Sequence, residues 1–150
     1  MDAVVVARLE AFPARLGAVA RAVATREVVT GPPTGEWTAR DMVAHLVAVE
    51  RVVWQARLDT LGPDGSEPQW PYAEPGPVDD PDAASLDGAL SVFSAERTAT
   101  LARVAALGAD DWTRTGVHAT YGRLDVAGLL GVAADHDDEH LAALEDRAGD

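Results

Sequence analysis

The feature that most constrains this chain is the recurrence of apolar residues at helical spacing in four long segments. In the first segment, Val5, Leu9, Phe12 and Leu16 fall on one face of an α-helix. Four helices of similar length, each apolar on one side, pack as a four-helix bundle. We therefore expect an all-α fold with a single domain over residues 1–150. The stripes predict helices over residues 2–25, 38–61, 83–107 and 125–147.

Two long connections separate the predicted helices. Residues 62–81 hold six of the nine prolines and three glycines, which end the second helix. A connection of this length can run along the whole bundle, so that helices two and three lie parallel in an up-down-down-up order. The segment either packs as a crossover or covers a pocket with Trp70 and Tyr72. Residues 109–124 show no strong strand pattern and are expected to form a second loop.

Local signals mark the helix ends. Pro13 either kinks the first helix or marks a late start, because proline has no backbone N–H to donate. Thr38 is an expected N-cap with Asp41 three residues later, close to a capping box. Asp82 or Ser85 is expected to cap the third helix.

The charge of the chain excludes several classes of partner. The formal net charge is −13, and all twelve basic residues are scattered arginines. Binding to phosphate backbones or anionic membranes needs clustered cations, so we expect neither nucleic-acid nor membrane partners. No apolar run approaches the ~20 residues that span a bilayer, and no basic region opens the chain as in a secretion signal. We expect a cytoplasmic location.

Cysteine is absent. This excludes disulfides, thiolate nucleophiles, zinc-finger sites and iron–sulfur clusters from the protein itself. Any thiol used in its chemistry has to come with the substrate.

Three histidines suggest a metal site. His136 and His140 are four residues apart, which places both imidazoles on one face of the fourth helix. His45 lies on the apolar face of the second helix, about 10 Å past its start, and His140 lies about 10 Å before the end of the fourth. Since these two helices are predicted to be antiparallel, the three imidazoles should meet and bind one divalent ion. Zinc is expected, with nickel or iron as alternatives.

One alternative interpretation of these histidines stays open, and another is excluded. Histidines on apolar faces can also be core residues with one hydrogen bond each. A di-iron carboxylate site needs paired Glu-x-x-His motifs, and only Asp137-x-x-His140 comes close, so we reject it. His118 is the one histidine off the apolar stripes and is expected to be a loop residue.

Charged residues near these positions are candidates for a supporting role. Asp41 and Asp137 could accept the second N–H of a metal-bound imidazole, or they could belong to a solvated acidic face. Glu50 and Arg97 lie at similar depth in two parallel helices, so they should pair. The pair is either structural, or Arg97 anchors an anionic group of a substrate.

Nearly the whole chain also resembles the DinB/YfiT-like superfamily of metal-dependent enzymes. The matching motifs are, in order, residues 36–46 (EWTARDMVAHL), Glu50, Trp54 with Arg57-Leu58, Phe93 with Arg97, residues 112–122 (WTRTGVHATYG) and residues 136–141 (HDDEHL). The resemblance implies an up-down-down-up four-helix bundle that is often dimeric, so we expect a homodimer. It also implies three ligands, carried over here to His45, His136 and His140.

The resemblance further implies enzymatic activity. Characterised relatives include transferases that use low-molecular-weight thiols such as bacillithiol or mycothiol, and a mycothiol-dependent isomerase. We therefore expect transfer of such a thiol to a small electrophilic substrate. The alternatives are a hydrolase or isomerase on the same site, and a non-catalytic dimeric stress protein that binds metal or a small ligand.

Overall fold

Each predicted helical segment forms a helix in the computed structural model, which describes residues 1–62 and 64–149. None of the helices in these two ranges combines the length and apolar character needed to cross a membrane. The α-helices are α1 (Ala3–Thr30), α2 (Ala39–Val49), α3 (Ala56–Asp59), α4 (Leu86–Ala105) and α5 (Val126–Gly149).

Two helix ends differ from the prediction by three residues or more. The first helix continues to Thr30 rather than ending at residue 25, and Gly31, at φ 78°, closes it by donating to the carbonyl of Glu27. The prediction ended the helix where the apolar stripe ends. The last turns of the helix are exposed, so they do not continue that stripe. At α4, Ser85 is the cap, accepting from the N–H of Gly88, while Pro81–Ala83 form a separate 3₁₀ turn.

The second helix is continuous but not uniformly α-helical. Thr38 and Asp41 form the predicted capping box at the start of α2. Residues Glu50–Gln55 then form a π-helical segment before α3, with right-handed helical dihedrals at both junctions. We call α2, this segment and α3 together the second helix. Such π segments are rare in proteins overall, but those that occur are often found at functional sites. This one carries Glu50 and Trp54.

Ion pairs show that the second helix and α4 are parallel. Nε of Arg51 lies 2.6 Å from Oε1 of Glu96, and further along, Nε of Arg103 lies 3.2 Å from Oδ1 of Asp59. Residue numbers therefore increase in the same direction along both helices. The long connection between them makes this parallel arrangement possible, as predicted.

The first and last helices are also parallel to each other. Nη2 of Arg8 lies 2.8 Å from Oδ2 of Asp138, and Nη1 of Arg26 donates to the carbonyl of Ala148 at 3.3 Å. The short connection after α1 reverses the chain into the second helix. The order is therefore up-down-down-up, which confirms the predicted four-helix bundle.

A buried ion-pair cluster lies between helices. Nε and Nη2 of Arg97 each donate to one carboxylate oxygen of Glu50 at 3.0 Å. Nη2 also lies 2.8 Å from Oδ2 of Asp137, and all three side chains are almost fully buried. The predicted pairing of Arg97 with Glu50 is confirmed, with Asp137 as an additional partner.

Pro13 explains a fourth contact of Arg97. Proline at this position cannot donate a hydrogen bond to the carbonyl of Leu9, four residues earlier. Nη1 of Arg97 donates to that carbonyl at 3.1 Å instead. The helix starts at Ala3, so Pro13 does not mark a late start. It frees an acceptor that the buried guanidinium uses.

A small sheet replaces part of the predicted loops. Its strands are β1 (Gln69–Trp70), β2 (Thr115–His118) and β3 (Gly122–Asp125). β1 pairs parallel with β2, and β2 pairs antiparallel with β3. The expectation that residues 109–124 form only a loop is therefore wrong, and so is the placement of His118 in a loop. The strands are four residues or fewer, too short for alternation to stand out from the sequence.

The contact between β1 and β2 leads to a first prediction. A Cβ atom at Gly116 would lie 2.3 Å from Cζ2 of Trp70, which is 4% exposed. Gly116→Ala should therefore lower the free energy of unfolding by about 1–3 kcal/mol, since the indole has to move in a packed core.

Gly131→Ala is the matched control for that substitution. Apart from its chain neighbours and the backbone of its own helix, no described atom lies within 4 Å of a Cβ at Gly131, which is inside α5. Alanine there should stabilise the helix by about 0.5–1 kcal/mol. Urea unfolding of both variants checks the pair, and equal effects would contradict the packing described for Trp70.

Candidate metal centre

The three predicted histidines meet at one point. Nε2 of His140 lies 3.2 Å from Nε2 of His45 and 3.1 Å from Nε2 of His136. Two of these imidazoles come from α5 and the third from α2. His45 is fully buried, and the other two are half-buried.

The antiparallel packing of α2 and α5 brings the histidines to one height. Near one end of the pair, Nη1 of Arg147 donates to the carbonyl of Trp37 at 3.0 Å. Deeper in the bundle, Asp137 reaches the Arg97–Glu50 pair. His45 and His140 lie between these two contacts, and His136 lies one residue beyond Asp137, so all three are at the depth that counting residues from the helix ends predicts.

The second nitrogen of His45 is held by the long connection. Its Nδ1 lies 2.6 Å from the carbonyl oxygen of Pro75, so Nδ1 carries the hydrogen and donates it. Nε2 of His45 then has a free lone pair directed at the other two imidazoles. A backbone carbonyl is a usual partner for the second nitrogen of a metal-bound histidine.

Glu74 joins the histidines, and sequence reasoning missed it. Its Oε1 lies 3.9 Å from Nε2 of His45. One ligand atom from each of the four residues lies within 4.8 Å of the others. The hydroxyl of Tyr72 donates to Glu74 and holds the pKa of its carboxyl below the usual value, with the histidines adding to the effect. Glu74 lies on an aperiodic loop, so no spacing pattern marked it.

The electrostatics of the cluster favour neutral imidazoles. Burial, together with the neighbouring imidazoles of His140 and His45, lowers the pKa of His136 to about 4. Burial and His45 likewise lower the pKa of His140 to about 4. All three rings are therefore neutral near pH 7, and a neutral imidazole is the form that binds a metal ion.

The arrangement fits one divalent cation. Nitrogens at ~2.0–2.1 Å from a tetrahedral zinc ion are roughly 3.3 Å apart, close to the Nε2 separations here. Three imidazoles are ligands that zinc, nickel and iron accept, and the carboxylate of Glu74 lies beside them. If Nε2 carries no hydrogen on any of the three rings, their lone pairs face one another, and a bound cation would stabilise that arrangement.

The other charged candidates bond to residues other than the three histidines. Asp41 bonds to Thr38 and Arg40 at the start of α2 and makes no hydrogen bond to a histidine of the described ranges. Asp137 points inward, but to Arg97 rather than to an imidazole. The buried Nδ1 of His136 has no hydrogen-bond partner in the described part of the chain. Glu50 and Arg97 support the bundle behind the centre rather than contacting its histidines.

A cavity of about 290 Å³ adjoins the cluster. His136 and Glu74 form part of its wall, so the cluster is accessible from it. Tyr72 and Tyr121 are exposed and stand at its rim. The long connection therefore both packs, through buried Trp70, and lines a pocket, through Tyr72 and Glu74. The remaining lining residues are Val49, Trp54, Arg57, Ala73, His118, Thr120, Val132, Asp135 and Glu139.

Comparisons with known proteins agree with this architecture. The solved structure of YfiT from Bacillus subtilis, described as a probable metal-dependent hydrolase with an unusual four-helix bundle topology, matches with a TM-score of 0.73 at 22% identity. The match covers 96% of this chain and 83% of that one. No curated protein matches the chain. A family model of the DinB superfamily matches residues 8–144, nearly the full length, and the chain therefore belongs to the DinB superfamily.

Proposed function

We propose that this protein is a metal-dependent enzyme acting on a small molecule, with the metal held by His45, His136 and His140. The observation that carries the proposal is the cavity whose wall contains His136 and Glu74. A purely storage or structural site would need no such space beside its ligands. The cavity therefore favours a site that acts on a small molecule over one that only stores or is stabilised by a metal ion.

The chain's own residues have distinct roles in this proposal. Three imidazoles leave at least one coordination position for a ligand from outside, where the ion would lower the pKa of a water or thiol. Glu74 lies beside that position and can accept the proton that the nucleophile releases. Val49, Trp54 and Val132 hold the apolar part of a substrate in the cavity.

For the reaction, we propose transfer of a low-molecular-weight thiol to a small electrophile. Support comes from the family resemblance alone. Because the sequence has no cysteine, the thiol would have to come from outside the chain. The cavity adjoins the cluster and reaches the surface at Tyr72 and Tyr121, so it can admit a cosubstrate from solvent.

Hydrolysis is the second candidate. The observation that favours it is Glu74, a carboxylate placed beside three imidazoles, because the same group can deprotonate water. A cavity of about 290 Å³ also suits one small substrate plus water.

One assay separates the two candidates. Zinc-loaded protein is incubated with a panel of small electrophiles and esters, with and without a low-molecular-weight thiol. Conjugate formation that requires the thiol supports transfer, whereas product formation without thiol supports hydrolysis. No turnover above a metal-free control in either condition would contradict the enzymatic proposal.

Glu74→Gln provides a residue-level prediction on whichever activity appears. The amide cannot accept a proton, so kcat should fall by about 10²–10⁴ while the metal content stays the same. Glu139→Gln is the control, because Glu139 lines the cavity but is not part of the cluster. Equal rates in the two variants would exclude Glu74 as the proton acceptor.

A further inference from the structure

One cationic side chain in the cavity forms no salt bridge with any residue that the structure describes. Arg57 is 6% exposed and lines the cavity. No carboxylate in residues 1–62 or 64–149 lies within salt-bridge distance of it. Burial lowers the pKa of Arg57, and no charged neighbour opposes that effect. An unpaired buried charge is destabilising, so a residue with a packing role alone would rarely carry one.

The contacts of Arg57 leave most of its donors free. Nη2 donates to the carbonyl of Pro71 at 2.8 Å, and Cζ stacks 5.4 Å from the ring of Trp54. A guanidinium has five N–H donors in a planar fork. The indole and the carbonyl fix the orientation of the fork, and the remaining donors are available in the cavity.

His118 supplies a second donor at the same wall. Its Nδ1 accepts from the backbone N–H of Thr120 at 2.9 Å and of Tyr121 at 3.3 Å. A neutral imidazole whose Nδ1 accepts carries its hydrogen on Nε2. His118 is 5% exposed and lines the cavity, so this end of it is built from a cation and a neutral donor.

Trp54 lies close both to Arg57 at this end of the cavity and to the metal centre. The ring of Trp54 lies 5.7 Å from the ring of His136 and 5.4 Å from Cζ of Arg57. The guanidinium of Arg57 and the ring of His136 therefore both lie close to the same indole. A small molecule can contact both ends at once.

We infer that Arg57 and His118 form a carboxylate-binding subsite, and that the substrate is a small apolar or aromatic monocarboxylate whose reactive group lies toward the histidine cluster in the same cavity. This inference rests on the proposed function, since it names the substrate class of the same cavity. A carboxylate matches the guanidinium fork and its single charge. A phosphate dianion would face one cation together with Glu74, Asp135 and Glu139. Arg97 cannot serve instead, because Glu50 and Asp137 already pair with it.

Titration calorimetry with benzoate and its neutral isostere benzamide tests the subsite. Protein is incubated with zinc, desalted and titrated with each probe, and inorganic phosphate is the third arm. Wild-type protein should bind benzoate at least about tenfold more tightly than benzamide or phosphate. Arg57→Gln should lose that preference, Arg57→Lys should keep part of it, and Arg103→Gln should behave as wild type.

Several results would overturn the inference. These are equal binding of benzoate and benzamide, an Arg57→Gln variant that binds benzoate as Arg103→Gln does, and no saturable benzoate heat in wild-type protein. Tighter binding of phosphate would overturn the assignment to carboxylates. If Arg57 were only structural, Arg57→Gln would lower the melting temperature and leave the benzoate preference unchanged.

Zinc content measured on the same samples keeps the two proposals apart. Loss of benzoate binding in Arg57→Gln with zinc retained supports the subsite. Absence of zinc from every sample, wild type included, would refute the metal-dependent function. The comparison of benzoate with benzamide would still report on Arg57.

Discussion

Replacing Arg97 by alanine is expected to lower the free energy of unfolding by about 3–5 kcal/mol, the range measured when one partner of a buried ion pair is removed. The substitution would leave Glu50 and Asp137 buried without a cation, and the carbonyl of Leu9 without a donor. Total stability of a domain is about 5–15 kcal/mol, so the loss is a large fraction of it. Urea unfolding monitored by circular dichroism measures the change.

Arg103→Ala is the control for that experiment. Arg103 pairs with Asp59 at 3.2 Å, and both side chains are substantially exposed. Removing an exposed pair should change the free energy of unfolding by less than about 1 kcal/mol. Similar losses in the two variants would contradict the view that Arg97 holds the bundle together from inside.

Zinc is expected to raise the melting temperature of wild-type protein strongly and to leave that of His140→Ala unchanged. His140 is the best position for this substitution because its Nε2 contacts both other imidazoles. A free ligand at 100 times its Kd stabilises the folded state by about 2.7 kcal/mol. For a domain of this size that corresponds to a shift of roughly 5–10 °C.

A chelator should reverse the shift in wild-type protein, which separates bound metal from a nonspecific salt effect. An equal shift in His140→Ala would place the zinc elsewhere on this acidic surface. No shift in either protein at saturating zinc would contradict a metal centre at the histidines.

Helical periodicity in the sequence was enough to predict much of the structure. The apolar stripes give the four helices, and the position of His45, His136 and His140 on those stripes gives their convergence. The same counting of depth predicted the contact of Arg97 with Glu50. These inferences succeed because a helix converts residue number into height and direction by a fixed rise and angle.

The rest of the site could not be predicted, because it lies on segments whose sequence shows no helical or strand periodicity. Glu74 and the carbonyl of Pro75 belong to the proline-rich connection, whose course depends on tertiary packing. The cavity also needs Tyr121 and His118, which a short hairpin positions. Asp137 was a candidate partner of the imidazoles but pairs with Arg97, since neighbouring positions on a helix face different directions.

The role of Arg57 also could not be predicted from the sequence. The resemblance to the family includes this residue, but its chemical role depends on what surrounds it. Only the structure shows that it is buried, stacked on Trp54 and without a carboxylate partner in the described ranges. Such an environment converts an ordinary helical arginine into a candidate anion-binding group.

The central claim is that His45, His136 and His140 bind one divalent metal ion, and metal content tests it most directly. Wild-type protein, His136→Ala and His118→Ala are incubated with zinc, desalted and analysed by elemental mass spectrometry. Wild type and His118→Ala should each retain close to one equivalent, because His118 lies in the cavity but outside the cluster. His136→Ala should retain far less. Undiminished metal in His136→Ala would contradict the account.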